Sequence, residues 1–206
     1  MNLLQRPDVF EEIKKELSQV ANVDKDSKKL RLDVPALLVQ PWLLAVYTET
    51  LRLRVHINIS REITQDIEID GHILKTGHIV VASTYIGHTM DPSWITEKYP
   101  VKEFYPERFL IFDEKGSTPK FSVGGAGGKM FPYGGGIHLC PGRHFAKQEI
   151  MVAIALMILR FDFEMLGYVK MDGTRSDRGP RLDEEFAGSG VMPPDRDVRV
   201  RLRKRS

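Results

Sequence analysis

Apolar residues recur at two different periods along this chain, and the change between them divides it into helical and extended stretches. Between Asp8 and Val20 the apolar positions Phe10, Ile13, Leu17 and Val20 fall on one side of a helix, while acids and lysines fill the rest and Pro7 stands just ahead of the start. The polar stretch NVDKDSKK that follows reads as a loop. From Ala36 to Leu53 apolar residues dominate, and PWLLAVYTETLRLRV predicts a helix that starts at Pro41 and buries most of its surface. Ile57 to Ile86 changes to short alternating pieces. There Asp70-Gly71 and Thr76-Gly77 are tight-turn dipeptides between β-branched runs, which predicts two or three short antiparallel strands. Pro92, Pro100 and Pro106 interrupt regular structure from Asp91 to Phe109, yet Trp94, Phe104, Tyr105 and Phe109 need burial, so an ordered loop is expected. The Gly-rich run GSTPKFSVGGAGGK leads towards a further apolar helix over Phe145 to Leu159, and the tail reads as strand, loop and strand.

Composition narrows what these elements can do. With 206 residues, 42% of them hydrophobic, the chain has enough apolar material for a core, and neither a repeat nor a linker divides it. Lys and Arg number 30 against 28 Asp and Glu, which leaves no overall field to attract a nucleic acid. The locally basic end, RDVRVRLRKRS, alternates Val198, Val200 and Leu202 with Arg199, Arg201 and Arg203, the period of a half-buried strand with solvated arginines. No nucleic-acid partner is expected. The apolar run Ile150 to Leu159 is shorter than the roughly 18 to 20 residues that cross a bilayer, and it reads as a buried helix. The N-terminus lacks the apolar centre of a signal peptide, so no membrane segment is expected within these residues.

One cysteine excludes an internal disulfide and a Cys-rich zinc site. That residue, Cys140, lies in FPYGGGIHLCPGRHF, after Gly134, Gly135 and Gly136 and just ahead of the apolar helix. Amide donors and the positive end of the helix dipole favour its thiolate form, which is the form that binds metals. Side-chain-free backbone lets such a loop lie flat against a broad ligand, and haem held by one axial thiolate is a ligand of that shape. Two other readings stand beside it: an ordinary small buried residue, and a nucleophilic thiol with His138 or His144 as its base.

The chain resembles the haem-thiolate monooxygenases, the cytochrome P-450 family, in its eukaryotic form. The family's cysteine signature, Phe-x-x-Gly-x-Arg-x-Cys-x-Gly, is met at Gly136, Cys140 and Gly142, with Tyr133 at the Phe position and His138 at the Arg position. Glu49-Thr50-Leu51-Arg52 is similar to the family's Glu-x-x-Arg, and Pro106-Glu107-Arg108-Phe109 to its Pro-Glu-Arg-Phe. RPDVFEEIKKEL, Arg61 and GVMPPDRDVRVR have counterparts too, so the likeness runs from Leu3 to Arg203. The region Arg54 to Glu62 resembles the branch holding sterol and prostanoid enzymes.

The resemblance implies a mixed α and β fold, mainly helical with small antiparallel sheets, forming the proximal half of the family's domain. Residues 1–206 would be its C-terminal portion, without the distal half and the membrane anchor. It implies haem with Cys140 as the axial ligand to iron, His138 and Arg61 towards the propionates, Tyr133, Gly134, Gly136 and Gly142 as the cradle, and Glu49, Arg52 and Arg108 as a structural cluster. The family's acid-threonine pair, which handles the protons of bound oxygen, is not in this sequence, and no catalytic residue is assigned. The expected protein is therefore a truncated monooxygenase-like chain with little turnover of its own. Alternatives are one piece of an active enzyme, with a reductase as redox partner and a small apolar sterol-like or secondary metabolite as substrate, or a non-catalytic relic that binds a partner. Full-length relatives of this kind belong to the endoplasmic reticulum membrane.

Overall fold

The computed structural model describes residues 2–26, 29–95, 100–113, 119–124 and 128–205. The glycine-rich run from 116 to 129 therefore lies partly outside the described residues. Helix α1 (Pro7–Val20) buries Val9, Ile13, Glu16, Leu17 and Val20 along one stripe. NVDKDSKK is not simply a loop. Its first residues belong to β1 (Ala21–Val23), which pairs antiparallel with β2 (Leu30–Leu32), because the apolar ends Val23 and Leu30 face each other across the register and only the polar centre is left for the turn.

After the short helix α2 (Val34–Leu37), Gln40 is extended, as the residue before a proline must be, and α3 (Pro41–Arg54) starts at Pro41. Eight residues of α3 are buried, among them Thr48, Glu49 and Arg52. It is the central helix of the core, where Leu43, Leu44 and Val46 meet Val9, Ile13 and Leu17 of α1. Strand β3 (Val55–Glu62) continues directly from α3, β4 (Ile67–Ile69) and β5 (His72–Leu74) form a hairpin, and β6 (Ile79–Ser83) returns along β3. The hairpin turn carries Asp70 at φ 50° and Gly71 at φ 77°, the paired left-handed conformations that a two-residue turn needs.

Helix α4 (Thr84–Thr89) follows, and Trp94 and Phe109 are buried at the two ends of the proline-rich segment, which the short strands β7 (Leu110–Ile111) and β8 (Lys120–Phe121) succeed. Helix α5 (Arg143–Arg160) begins two residues earlier than its apolar run suggests. Only Met151, Ala155 and Ile158 are buried in it, while Ile150 and Met157 are 40% and 45% exposed. The buried-helix expectation holds for one face alone: α1 and α2 cover that face, and another borders an apolar groove of about 660 Å³ lined by Phe10, Val46, Ile154, Met157 and Phe163.

The tail forms β9 (Phe161–Lys170), β10 (Arg175–Ser176), β11 (Ser189–Val191) and β12 (Arg196–Lys204). The order β10-β9-β12 makes one antiparallel sheet, and β11 joins β3 and β6 in another. Arg201 and Arg203 are exposed and reach Glu164 on β9 at 2.8 and 3.4 Å. Among the described residues helix accounts for 39% and strand for 29%, a mixed α and β fold with small antiparallel sheets in which helix leads without dominating. The long β9 and β12 pair contributes the largest share of the strand. Among the described residues no helix is long and apolar enough to cross a membrane.

Glu16 ties the first helix to the third. Its carboxylate accepts the Trp42 and Leu43 amides at 2.7 and 3.0 Å, capping α3 from a different helix. Burial, the larger effect, pushes this carboxyl up to about 7 from 4.5, against the lowering by the two amides. A raised folded-state value stabilises below pH 4.5, and that contribution is lost as pH climbs through 7. Glu16→Gln should therefore gain on the parent by roughly 3 kcal/mol as pH rises from 4.5 to 7, at about 1.4 kcal/mol per pH unit, read as the difference between urea midpoints at each pH.

Candidate functional site

Two parts of the molecule gather the residues singled out above, and α3 touches both. The first is a buried ion cluster. Glu49 and Arg52 lie one turn apart on α3, and the Arg52 Nε and Nη2 each donate to a different oxygen of Glu49 at 2.7 Å. Both side chains are fully buried, and Arg108 is 4% exposed. Arg108 Nε donates to Glu49 Oε1 at 3.3 Å, and the Tyr105 amide donates to the same oxygen at 2.9 Å.

Two guanidinium groups thus share one carboxylate, and backbone carbonyls surround the surplus positive charge. Arg52 donates to the His88 carbonyl at 2.6 Å and the Glu103 carbonyl at 3.4 Å, while Arg108 donates to the Pro100 carbonyl at 2.9 Å and to that of Trp94. The Arg52 guanidinium also lies over the Trp94 ring, 5.1 Å from its centre. Each carbonyl belongs to the stretch that runs from α4 to β7, so the cluster fastens that irregular chain to α3.

The second part is the cysteine loop. The Phe131 amide donates to His88 Nε2 at 2.8 Å, and the Phe131 ring stacks on that imidazole. Gly134 N–H closes on Phe131 O at 3.0 Å, and the Cys140 amide closes on Tyr133 O at 3.0 Å, with the single 3-10 turn Gly136–His138 between them. Gly134 at φ 81° and Gly136 at φ 65° are left-handed, so the reversal requires glycine at both. The Tyr133 hydroxyl is hydrogen-bonded to the Tyr47 hydroxyl on α3, which gives a use to the tyrosine where the family signature has phenylalanine. Burial is the larger cause, ahead of this bond, that holds Tyr47 well above the ordinary phenol range and keeps it neutral.

Cys140 is exposed. It lies three residues ahead of α5, and its carbonyl accepts Arg143 Nη1 at 3.0 Å. Ile137 and Phe145 are 95% and 71% exposed around it, and Leu139 is exposed as well. His138 is exposed on the same turn, Gly142 caps α5, and Arg61 reaches across from β3 to the Gly135 carbonyl at 3.4 Å. A side chain added at Gly135 or Gly136 would meet nothing within 4 Å, so the loop has one open surface. An open, glycine-lined surface with a thiol and bare apolar side chains fits a flat apolar group with a metal at its centre. Among the described residues no three His, Cys, Asp or Glu gather to hold a bare metal ion, so Cys140 offers such a metal one ligand.

Sequence reasoning missed Tyr47, Trp94 as a ring beneath Arg52, and the pair His56 and His88. Only Tyr47 carried a signal, since a tyrosine in the loop implies a partner for its hydroxyl.

The family model described as Cytochrome P-450 matches residues 1–176. Cytochrome P-450 monooxygenase calL of Penicillium decumbens is 37% identical over 204 residues, covering 99% of this chain and 38% of the relative. Cytochrome P-450 monooxygenase efuG of Hormonema carpetanum is 32% identical over 219 residues, covering 94% and 37%. The 7-alpha-hydroxycholest-4-en-3-one 12-alpha-hydroxylase of Homo sapiens is 31% identical over 212 residues, covering 98% and 40%. The chain spans about two fifths of the length of these relatives.

Removing one member of the ion cluster leaves an uncompensated buried charge or stranded carbonyls. Arg108→Ala should cost about 3 to 5 kcal/mol, and Arg108→Lys should recover only part of that, because an ammonium cannot reach the same three acceptors with a planar fork. Chemical denaturation of the two variants checks this; equal midpoints for Arg108→Ala and the parent would refute it.

Proposed function

Because this chain belongs to the cytochrome P-450 family, we propose that it forms the thiolate side of a haem site, with Cys140 as the ligand to iron and little or no substrate turnover by the chain alone. The observation that carries this reading is the exposed thiol of Cys140 on a loop reversed by Gly134 and Gly136 and bordered by exposed Ile137 and Phe145.

Haem bound through a thiolate supplies oxygen activation for hydroxylation of an apolar substrate. The chain's own residues do the holding. Tyr133, Gly134, Gly136 and Gly142 keep side chains off the open surface and hold the thiol in place. His138 and Arg61 would donate to carboxylates at the rim of the group. Glu49, Arg52 and Arg108 fix the segment behind the loop.

The low turnover follows from the missing acid-threonine pair, since no residue of this sequence is then assigned to move protons on the other side of the group. Residues 1–206 are read as the C-terminal portion of a single family domain, in keeping with the two fifths of the relatives' length that they span.

A second reading is favoured by the apolar groove beside α5 and the exposure of Ile150 and Met157. A separate polypeptide seated there would complete an active monooxygenase, served by a reductase and acting on a small apolar molecule of the sterol-like or secondary-metabolite class.

Reconstitution with hemin separates these readings. The reduced, carbon monoxide-bound chain should give a thiolate-type Soret band that Cys140→Ser abolishes, with no product from a sterol panel supplied with a reductase. An unchanged spectrum after Cys140→Ser would remove the haem assignment, and product formation by the chain alone would overturn the claim of low turnover.

A further inference from the structure

Two histidines inside the fold are unused by the reading above. His56 on β3 and His88 on α4 are fully buried, with ring centres 5.6 Å apart. Their hydrogen bonds decide where each proton sits. The Phe131 amide can only donate, so His88 Nε2, which receives it at 2.8 Å, is bare and the proton of this ring is on Nδ1. The Leu53 carbonyl can only accept, so His56 Nε2, 3.1 Å away, carries its proton and leaves Nδ1 bare.

The Nδ1 atoms of both rings are buried without a hydrogen-bond partner. One is a leftover donor and the other a leftover acceptor on neighbouring rings. An orphaned buried polar atom is costly enough that such complementarity needs a reason.

The reason lies in what His88 connects. Its carbonyl accepts Arg52 Nη1 at 2.6 Å, which ties it to the ion cluster. Its ring accepts the amide at the start of the cysteine loop and stacks on the side chain of the same residue, Phe131. We propose that His88 is the positioning residue that couples the Glu49, Arg52 and Arg108 cluster to the cysteine loop, acting as a neutral Nδ1–H imidazole against a neutral Nε2–H imidazole of His56.

A proton added to His88 would turn Nε2 into a donor facing the Phe131 amide and release the loop. The groups around it oppose that proton. Arg52 is on α3, where it already engages Glu49; His56 is on β3, with Tyr85 of α4 edge-on to it; Phe131 brings no charge. Burial first, then His56 and Arg52, hold His88 down at about 4 from 6.5, against the carbonyls of Val55 and Arg52 at the end of α3. The fastening is thus expected to be complete above pH 6.5 and to fail as pH falls through 4.

The test uses the whole chain without haem, so it is independent of the assignment of Cys140. Nitrogen chemical shifts of histidine-labelled protein at about pH 7 should show His88 as the Nδ1–H form and His56 as the Nε2–H form. Exchange of the Phe131 amide should speed up about fivefold to tenfold in His88→Phe, the loss of one hydrogen bond, and return towards the parent rate in His88→Gln, whose amide oxygen can accept the same N–H. An Nε2–H form of His88 in the parent overturns the proposal even if His88→Phe fails to fold. So does an unaltered Phe131 exchange rate in a folded His88→Phe.

Discussion

A carboxylate with no access to water is tolerable only when its charge is paired and both oxygens accept hydrogen bonds, and Glu49 meets this condition by drawing distant chain onto α3. Arg52 is local, one helical turn away. Arg108 and the Tyr105 amide come from the far side of the proline-rich segment, and they arrive with that segment's carbonyls already needed to balance the second guanidinium. The cluster is therefore less an ion pair than a closing condition on residues that form almost no regular structure of their own. The cysteine loop takes its place from the same condition, because the His88 carbonyl is one of the acceptors.

Among the described residues, three hydrogen bonds tie the loop to side chains elsewhere: Phe131 to His88, Tyr133 to Tyr47, and Arg61 to the Gly135 carbonyl. The first two reach buried or half-buried side chains, on α4 and on α3, and the third is at the surface. Such anchoring holds the backbone of residues 131–135 while the stretch that follows, with Ile137, Leu139 and Cys140, faces outwards. A ligand arriving there would meet a preset surface and would not have to order it, which lowers the entropy cost of binding.

Much of this is legible from residue types alone. Apolar periodicity places α1, α3 and α5 to within a few residues, and Asp70-Gly71 marks its hairpin because few dipeptides adopt two left-handed conformations in succession. Spacing also picks out the Glu-x-x-Arg and cysteine segments. What spacing cannot carry is a hydrogen bond across long separation. Glu16 sits among EEIKKEL like any solvated acid of an amphipathic helix, and nothing local says that it caps a helix beginning 25 residues later. His56 and His88 are equally silent, since an imidazole has no period. The exposed face of α5 escapes the sequence for a related reason: a run that is apolar all round reports how much surface could be covered, and the neighbours decide how much is.

Glu16 and His88 also make an opposed pair in the proton inventory of unfolding. Between about pH 4.5 and 6.5 the folded chain holds a proton on the carboxyl and none on His88 Nε2; once the chain opens, the carboxyl gives its proton up and the freed imidazole takes one. Their combined exchange with the solvent is close to nil, so the two effects offset each other across mildly acidic conditions, while His56, also held low by burial, adds its own dependence. The pH dependence carried by Glu16 and His88 would then surface only once one of the two is removed.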